Sequence, residues 1–318
     1  MIVRKNTAMK PALGCPLLLA MIAVGFAAEA PPQVPLSVPD GPLVALWQKT
    51  PNPNKPYLAQ LYAPGEKPVP LLDDSPPDHF HHHALMFAIG VDGTDFWAEK
   101  GIANAGRQEV AESVAAPTGD GFTQNLRWLA TDGTRLLDES RRVRVRATGK
   151  DADAVHWLDW ECTLTPAAGR DAVRLSGAHY FGLGMRFLPA WSRKGEFIWQ
   201  DTTGQTVVRG DEKLTPGGWC AARCTIDNRP VTVLMIDHPS NPRPAQWFTM
   251  SDPFCYLSAA LNLEKDPAKL KAGGKWTLRY GFAVLSTPAD AARLSKLAVD
   301  WKNSNLFPAG DQPAPNKP

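Results

Sequence analysis

Short stretches of alternating apolar and polar residues, punctuated by turn residues, dominate the chain. Leu136 to Ala147 alternates most cleanly: Glu139, Arg141, Val143 and Val145 fall on one side, Ser140, Arg142, Arg144 and Arg146 on the other. Val155–Thr165, Val231–Asp237 and Trp276–Leu285 are further strand-like segments, separated by turns such as Ala168-Gly169 and Gly273-Gly274. One helix is predicted near the C-terminus. Thr287 can cap it, Pro288 suits its first position and Asp290 completes a capping-box-like pattern, before Leu294, Leu297, Ala298 and Trp301 follow at helical spacing. No repeat of 20–50 residues is visible, which argues against a propeller or solenoid. The expected fold is all-β: a large two-sheet antiparallel β-sandwich, compatible with the supersandwich of sugar mutarotases, with one C-terminal helix.

The composition agrees. The 318 residues are 44% hydrophobic and 21% charged, a globular balance, while 30 Pro, 25 Gly and 11 Trp favour short strands and frequent turns over long helices. A net charge of +2 and the lack of a basic patch argue against nucleic acid as a partner. Arg4, Lys5 and Lys10 precede an apolar run from Leu17 to Ala28, and Ala27, Ala28 and Ala30 offer cleavage sites, so residues 1–28 read as a signal peptide. Removing its three cations from +2 leaves a mature charge of −1. Gly14-Cys15 suggests lipidation, but the apolar run follows the cysteine instead of preceding it. The expected location is periplasmic or secreted, with no membrane span in the mature chain. Residues 29–45 read as a Pro-rich leader, 46–305 as one domain and 306–318 as a disordered tail.

Export bears on the remaining cysteines, Cys162, Cys220, Cys224 and Cys255. Cys220 and Cys224 could bridge across a short loop in an oxidising compartment; equally, all four could be buried small apolar residues. One such pair without a second is a weak zinc signal.

Four of the seven histidines fall within Asp78-His79-Phe80-His81-His82-His83. On a strand, His79, His81 and His83 would share a face and could hold a divalent metal, and His81 is the favoured acid/base group, with Asp78 orienting an imidazole. The other reading is a solvated histidine-rich loop. A cupin is disfavoured, because no Glu stands three or four residues after the His-x-His pair. A second constellation, Asp237-His238-Pro239-Ser240-Asn241-Pro242-Arg243, leaves a strand for a proline-stiffened loop. Here Asp237 and His238 could be catalytic, with Asn241 and Arg243 holding a substrate, or Asp237 and Asn241 could cap an Asx-type turn. Trp97 and Trp247 flank the two segments and could stack on a sugar ring, or be core.

Pro76-Pro77-Asp78-His79-Phe80-His81-His82, Val91-Asp92-Gly93-Thr94-Asp95-Phe96-Trp97 and Asp237 to Arg243 together resemble the successive signatures of a bacterial exported family labelled "methane oxygenase PmoA-like", otherwise a domain of unknown function. The resemblance covers about Leu46 to Trp301. It implies a setting in glycan-degrading bacteria near sugar oxidoreductases and isomerases, hence carbohydrate work. Methane oxidation itself is rejected: the oxygenase subunit of that name spans a membrane several times, and the only long apolar run here is the signal. One departure is His83-Ala84, where the family often has Arg-Gly, so His83 could alter specificity or add a metal ligand. The expected function is a carbohydrate-active enzyme (hydrolase, lyase or epimerase) acting on a small sugar or glycoside. The alternatives are a non-catalytic glycan-binding sandwich and a metal-dependent oxygenase using His79, His81 and Asp78.

Overall fold

The structure, a computed structural model, describes residues 33–48, 54–99 and 101–304. The expected signal peptide, residues 29–32 of the leader and the tail from 306 lie outside the described residues.

Two large antiparallel sheets form the sandwich. The ten-stranded sheet runs Gln33–Ser37, Leu43–Gln48, Tyr57–Ala63, Leu85–Ala88, Gly182–Arg186, Tyr256–Ala260, Gln246–Met250, Glu212–Pro216 and Thr206–Arg209, with the short Val69–Pro70 beside Tyr57–Ala63. The eight-stranded sheet runs Glu196–Trp199, Trp219–Ile226, Arg229–Asp237, Trp276–Leu285, Val155–Pro166, Arg135–Thr148, Gly121–Leu129 and Arg107–Ala115. A third, four-stranded sheet joins Ala268–Lys271, Ala172–Ser176, Gly90–Val91 and Thr94–Asp95. The Pro-rich segment is not loose from Gln33 onward: Gln33–Ser37 pairs with Leu43–Gln48 as a hairpin at the sheet edge. Leu36, Val44, Ala45 and Trp47 are buried there, so apolar positions between the prolines carry it into the core.

Alternation decides what each sheet buries. In Arg135–Thr148, Glu139, Arg141, Val143 and Val145 are all buried against the core, as their spacing predicts. The two charged members neutralise each other. Arg141 Nε donates to Glu139 Oε1 at 2.6 Å, Trp128 Nε1 donates to Glu139 Oε2 at 2.9 Å, and the guanidinium lies 4.6 Å from the Trp160 ring centroid.

The C-terminal helix, Ala291–Asn303, covers the outer face of the eight-stranded sheet. Leu294, Ala298 and Trp301 pack on Val155, Trp157, Leu234, Ile236 and Ala283. Its cap is Asp290, which accepts from Arg293 N at 2.8 Å, three residues beyond the expected Thr287. Thr287 is held elsewhere, its carbonyl accepting from Thr232 Oγ1 and its hydroxyl from Arg293. Gly281 lets the Trp301 indole lie flat on the sheet, where a Cβ would collide with the ring.

All four described cysteines are free and buried. Cys220 and Cys224 sit four residues apart on the single extended strand Trp219–Ile226, a separation of about 13 Å at ~3.3 Å per residue. A disulfide needs Cα atoms within about 7 Å, so the bridge across a short loop does not form.

Candidate functional site

The histidine segment is a turn. Pro76 and Pro77 stiffen its entry, His79 N donates to Pro76 O, His82 N to His79 O, and Ser75 N to His82 O. The period-two geometry that would have put His79, His81 and His83 on one face is therefore lost. His79, His81 and His82 turn together instead: His79 stacks on His82 at 4.7 Å between centroids, and His81 meets His82 edge-on at 4.7 Å. His83 points the opposite way, and among the described residues no three His, Cys, Asp or Glu side chains form a metal-ligand set.

The three imidazoles form one wall of a cavity of about 310 Å³. Strands Gly182–Arg186, Tyr256–Ala260, Gln246–Met250 and Glu212–Pro216 are neighbours in the ten-stranded sheet. Their registers send Met185, Leu257 and Trp247 to one face and Arg186, Tyr256, Phe248 and Met250 to the other. That second face is the cavity floor. Trp97, Tyr180 and Phe254 add aromatic walls, and Arg209 and Glu212 close the far side. The Tyr256 hydroxyl is buried without a hydrogen-bond partner and lies over Gly184, where a Cβ would collide with it.

Arg186 organises the histidine turn. Its Nη2 donates to both carboxylate oxygens of Asp78 at 2.8 and 3.1 Å, its Nη1 faces His82 Nδ1 at 3.4 Å, and it lies 3.5 Å from the Phe254 centroid. Burial opposes ionisation of Asp78, but the bonds from Arg186 and His79 outweigh it and bring its pKa down to about 2. Burial, then the neighbouring His81 and His79, push His82 down to about 2, so this imidazole is neutral. With Nδ1 facing a guanidinium N–H, its proton sits on Nε2. His81 is also held below the ordinary histidine value, first by burial and then by Lys55.

Behind the turn lies a buried charged network absent from the sequence reading. His83 Nδ1 meets Asp74 Oδ1 at 2.8 Å and its Nε2 meets Glu99 Oε1 at 2.8 Å, while Tyr57 stacks on the ring and donates to Asp74 Oδ2. Burial disfavours the His83 cation, but the bonds to Asp74 and Glu99 prevail and raise its pKa. Fully buried Lys55 donates to the Trp97 carbonyl at 2.6 Å and the His81 carbonyl at 3.3 Å, and pairs with Glu99 at 3.1 Å. One ammonium thus ties two cavity residues to the interior.

The proline-rich loop is a separate structure. Asp237 accepts from Asn241 Nδ2 at 2.6 Å and from Ala245 N at 3.0 Å, and Asn241 also bonds Arg279 N and O. Burial raises Asp237 to about 6. His238 Nδ1 contacts Ser240 Oγ at 2.7 Å and its ring meets the edge of Trp301. Arg243 donates to the carbonyls of Leu261 and Asp266. Among the described residues, His79, His81 and His82 share no hydrogen bond, ion pair or ring contact with Asp237, His238, Asn241 or Arg243. Of the two tryptophans, Trp97 lines the cavity, whereas Trp247 is fully buried and donates to Gly217 O. The sequence reading also missed Arg186, Tyr180, Tyr256, Arg209 and Glu212. Apart from the neighbours Arg209 and Glu212 they are scattered singly along the chain, Tyr180 in a turn and the others in strands, and the fold brings them together.

Residues 33–299 match the model of a family of unknown function, DUF6807. No curated protein matches the chain. Among solved structures, an α-galactosidase from Lactobacillus brevis is similar with a TM-score of 0.43 and 8% identity, over 76% of this chain and 38% of that one. The GH36 α-galactosidase AgaA from Geobacillus stearothermophilus is similar with a TM-score of 0.42 and 10% identity, over 81% of this chain and 40% of that one. A putative aldose 1-epimerase from Klebsiella pneumoniae is similar with a TM-score of 0.24 and 11% identity, over 60% of this chain and 62% of that one. The chain spans about two fifths of the length of the α-galactosidases.

Proposed function

The chain belongs to that family of unknown function, and from its cavity we propose that it is an exported enzyme acting on a small sugar or glycoside. The observation that carries this reading is the convergence of neutral imidazoles, aromatic rings and a buried carboxylate in one cavity of about 310 Å³. Ring faces take the apolar face of a pyranose, and a few polar groups fix its hydroxyls. His81, half-buried and with a lowered pKa, is neutral at physiological pH and exchanges a proton with a substrate oxygen or C–H. His82, at about 2, is too weak a base for that work; its Nε2–H donates to a substrate oxygen. Asp78 holds Arg186 and does not meet substrate directly.

Asp237, His238, Asn241 and Arg243 have no part in this reading, since their polar atoms hold their own loop. The oxygenase set of His79, His81 and Asp78 is set aside as well, because Arg186 engages both oxygens of Asp78. The resembling family's PmoA-like label contributes no chemistry; no helix among the described residues is long and apolar enough to cross a membrane. Export rests on the basic start and apolar run of residues 1–28.

The test is a panel of free sugars and glycosides followed by proton NMR for new products, with His81→Asn beside the parent. Turnover of at least one sugar, slowed by about 10²–10⁴-fold in the variant, is expected for a lost acid/base group. Turnover that survives His81→Asn removes His81 from the mechanism. A second reading, sugar binding without chemistry, is favoured by the strongly depressed His82, and saturable binding without product establishes it.

A further inference from the structure

Burying an ammonium is costly, and an apolar side chain of similar length would fill the same space. Lys55 is nonetheless 0% exposed, and burial pulls its pKa down more than Glu99 and Asp95 raise it. Its place in the fold shows what that charge is attached to. Lys55 lies between strands Leu43–Gln48 and Tyr57–Ala63 of the ten-stranded sheet, yet its chain neighbours hold to the other sheet. Gln108 N donates to Asn54 O at 2.6 Å, and Arg141 Nη1 donates to Pro56 O at 3.2 Å. The backbone here is therefore pinned to the eight-stranded sheet, while the side chain reaches the cavity wall.

At its far end the ammonium joins two segments of that wall. It holds the histidine turn through the His81 carbonyl, and the segment after strand Thr94–Asp95 through the Trp97 carbonyl and Glu99. A lysine has three N–H donors for such acceptors; an apolar residue fills the volume but holds neither carbonyl. The charge also reaches the imidazole. Lys55, His79, His83 and Glu99 act on His81, and His82, Arg209 and Glu212 line the same cavity. After burial, Lys55 is the largest influence on His81, and it opposes protonation.

We propose that Lys55 is a positioning residue of the site: by holding the His81 and Trp97 carbonyls at one point pinned to the opposite sheet, it fixes the proton-transfer imidazole against the aromatic wall. The proposal rests on the reading of His81 as the group that exchanges a proton with substrate, and adds the group that holds it. The same cation keeps His81 a free base. Glu99 does not depend on Lys55 alone, since His83 Nε2 meets it at 2.8 Å.

NMR titration of the histidine ring protons in the parent and in Lys55→Met tests this, with His81 identified by its absence from His81→Asn. In Lys55→Met the His81 pKa should move up towards 6.5 as the cation is lost. The Trp97 indole resonance, identified through Trp97→Phe, should shift as well. That of Trp301, bonded to Asp159, should stay in place and report an intact fold. On any sugar that is turned over, kcat should fall roughly 10²-fold, the effect of a misplacement of about 1 Å. Should Lys55→Met fail to fold, the parent reads the coupling from the other end: the Lys55 ammonium ¹⁵N resonance should shift through the His81 midpoint and lose that step in His81→Asn. A folded Lys55→Met in which His81, Trp97 or kcat keeps its parent behaviour, or a parent ammonium that ignores His81, overturns the positioning role and leaves that of His81 standing. Turnover that survives His81→Asn overturns instead the reading on which the proposal rests.

Discussion

The most consequential single residue is His83. The segment around it reads as a metal-binding strand because alternate histidines on a strand share a face. Pro76 and Pro77 and three turn hydrogen bonds defeat that alternation, and a polar loop signature in the sequence does not say which way each ring leaves the turn. His83 instead becomes a buried cation between Asp74 and Glu99. Its raised pKa means that its stabilisation is complete below the ordinary value of 6.5 and fades as pH rises through the raised one. Glu99, brought down to about 2 by His83 and Lys55 against the opposing effect of burial, stabilises above 4.5 and loses its contribution as pH falls toward 2. The network therefore contributes fully between about 4.5 and 6.5. Glu99→Gln should destabilise the fold by about 3–5 kcal/mol, as removal of one member of a buried ion group does, and flatten the acidic limb of stability against pH. Urea midpoints from pH 3 to 8, on the order of half a unit apart, would show it. Turnover should follow a different pH course. With His81 as the base of the proposed reaction, the rate should rise through a pKa below 6.5 and be level above it.

At the scale of elements, strands were more legible than ends. The four segments read as strands all lie in the eight-stranded sheet, but only Arg135–Thr148 has one face in the core and the other partly solvated, the situation that produces a clean period of two; the other three are largely buried on both faces and were legible from their apolar, β-branched and aromatic content between turns. Strands of the ten-stranded sheet that floor the cavity are shorter and buried on both faces, such as Gly182–Arg186 and Tyr256–Ala260, so their sequences do not alternate and the floor was invisible. The helix itself was legible but its start was not, because Thr287, Pro288 and Asp290 all suit a helix entry and only the contact with Arg293 N selects Asp290. Asp290→Ala should cost about 1 kcal/mol of stability and Thr287→Ala less, read from urea denaturation. Gly281→Ala should lift Trp301 off the sheet and cost about 1–3 kcal/mol, with a change in tryptophan emission as the marker.

For the whole molecule, the sandwich class followed from many short strands and one helix, whereas the place of the site did not. Whether two motifs distant in sequence meet depends on strand order, and here the histidine turn lies on the ten-stranded sheet while Asp237 ends a strand of the eight-stranded one. Strand order also explains the thiols. Cys162, Cys220, Cys224 and Cys255 are buried, and burial pushes each thiol pKa up. A thiol reagent should therefore find almost none of these four in the native protein and all four after denaturation, and a reductant should leave the melting temperature unchanged.

The cavity floor has a consequence for how the protein comes into being. Its adjacent strands come from residues 85–88, 182–186, 256–260, 246–250 and 212–216, so neighbours in space are separated by as much as about a hundred residues of chain. During synthesis the histidine turn emerges long before Tyr256, the ring it packs against. A chain arrested before residue 256 lacks the strand that joins Gly182–Arg186 to Gln246–Met250, so its floor is incomplete however well its first strands have formed. Occupancy of the cavity is thus a report that the polypeptide is finished, and a sugar that binds there will act late in folding by holding the completed fold, with no means of speeding its first steps.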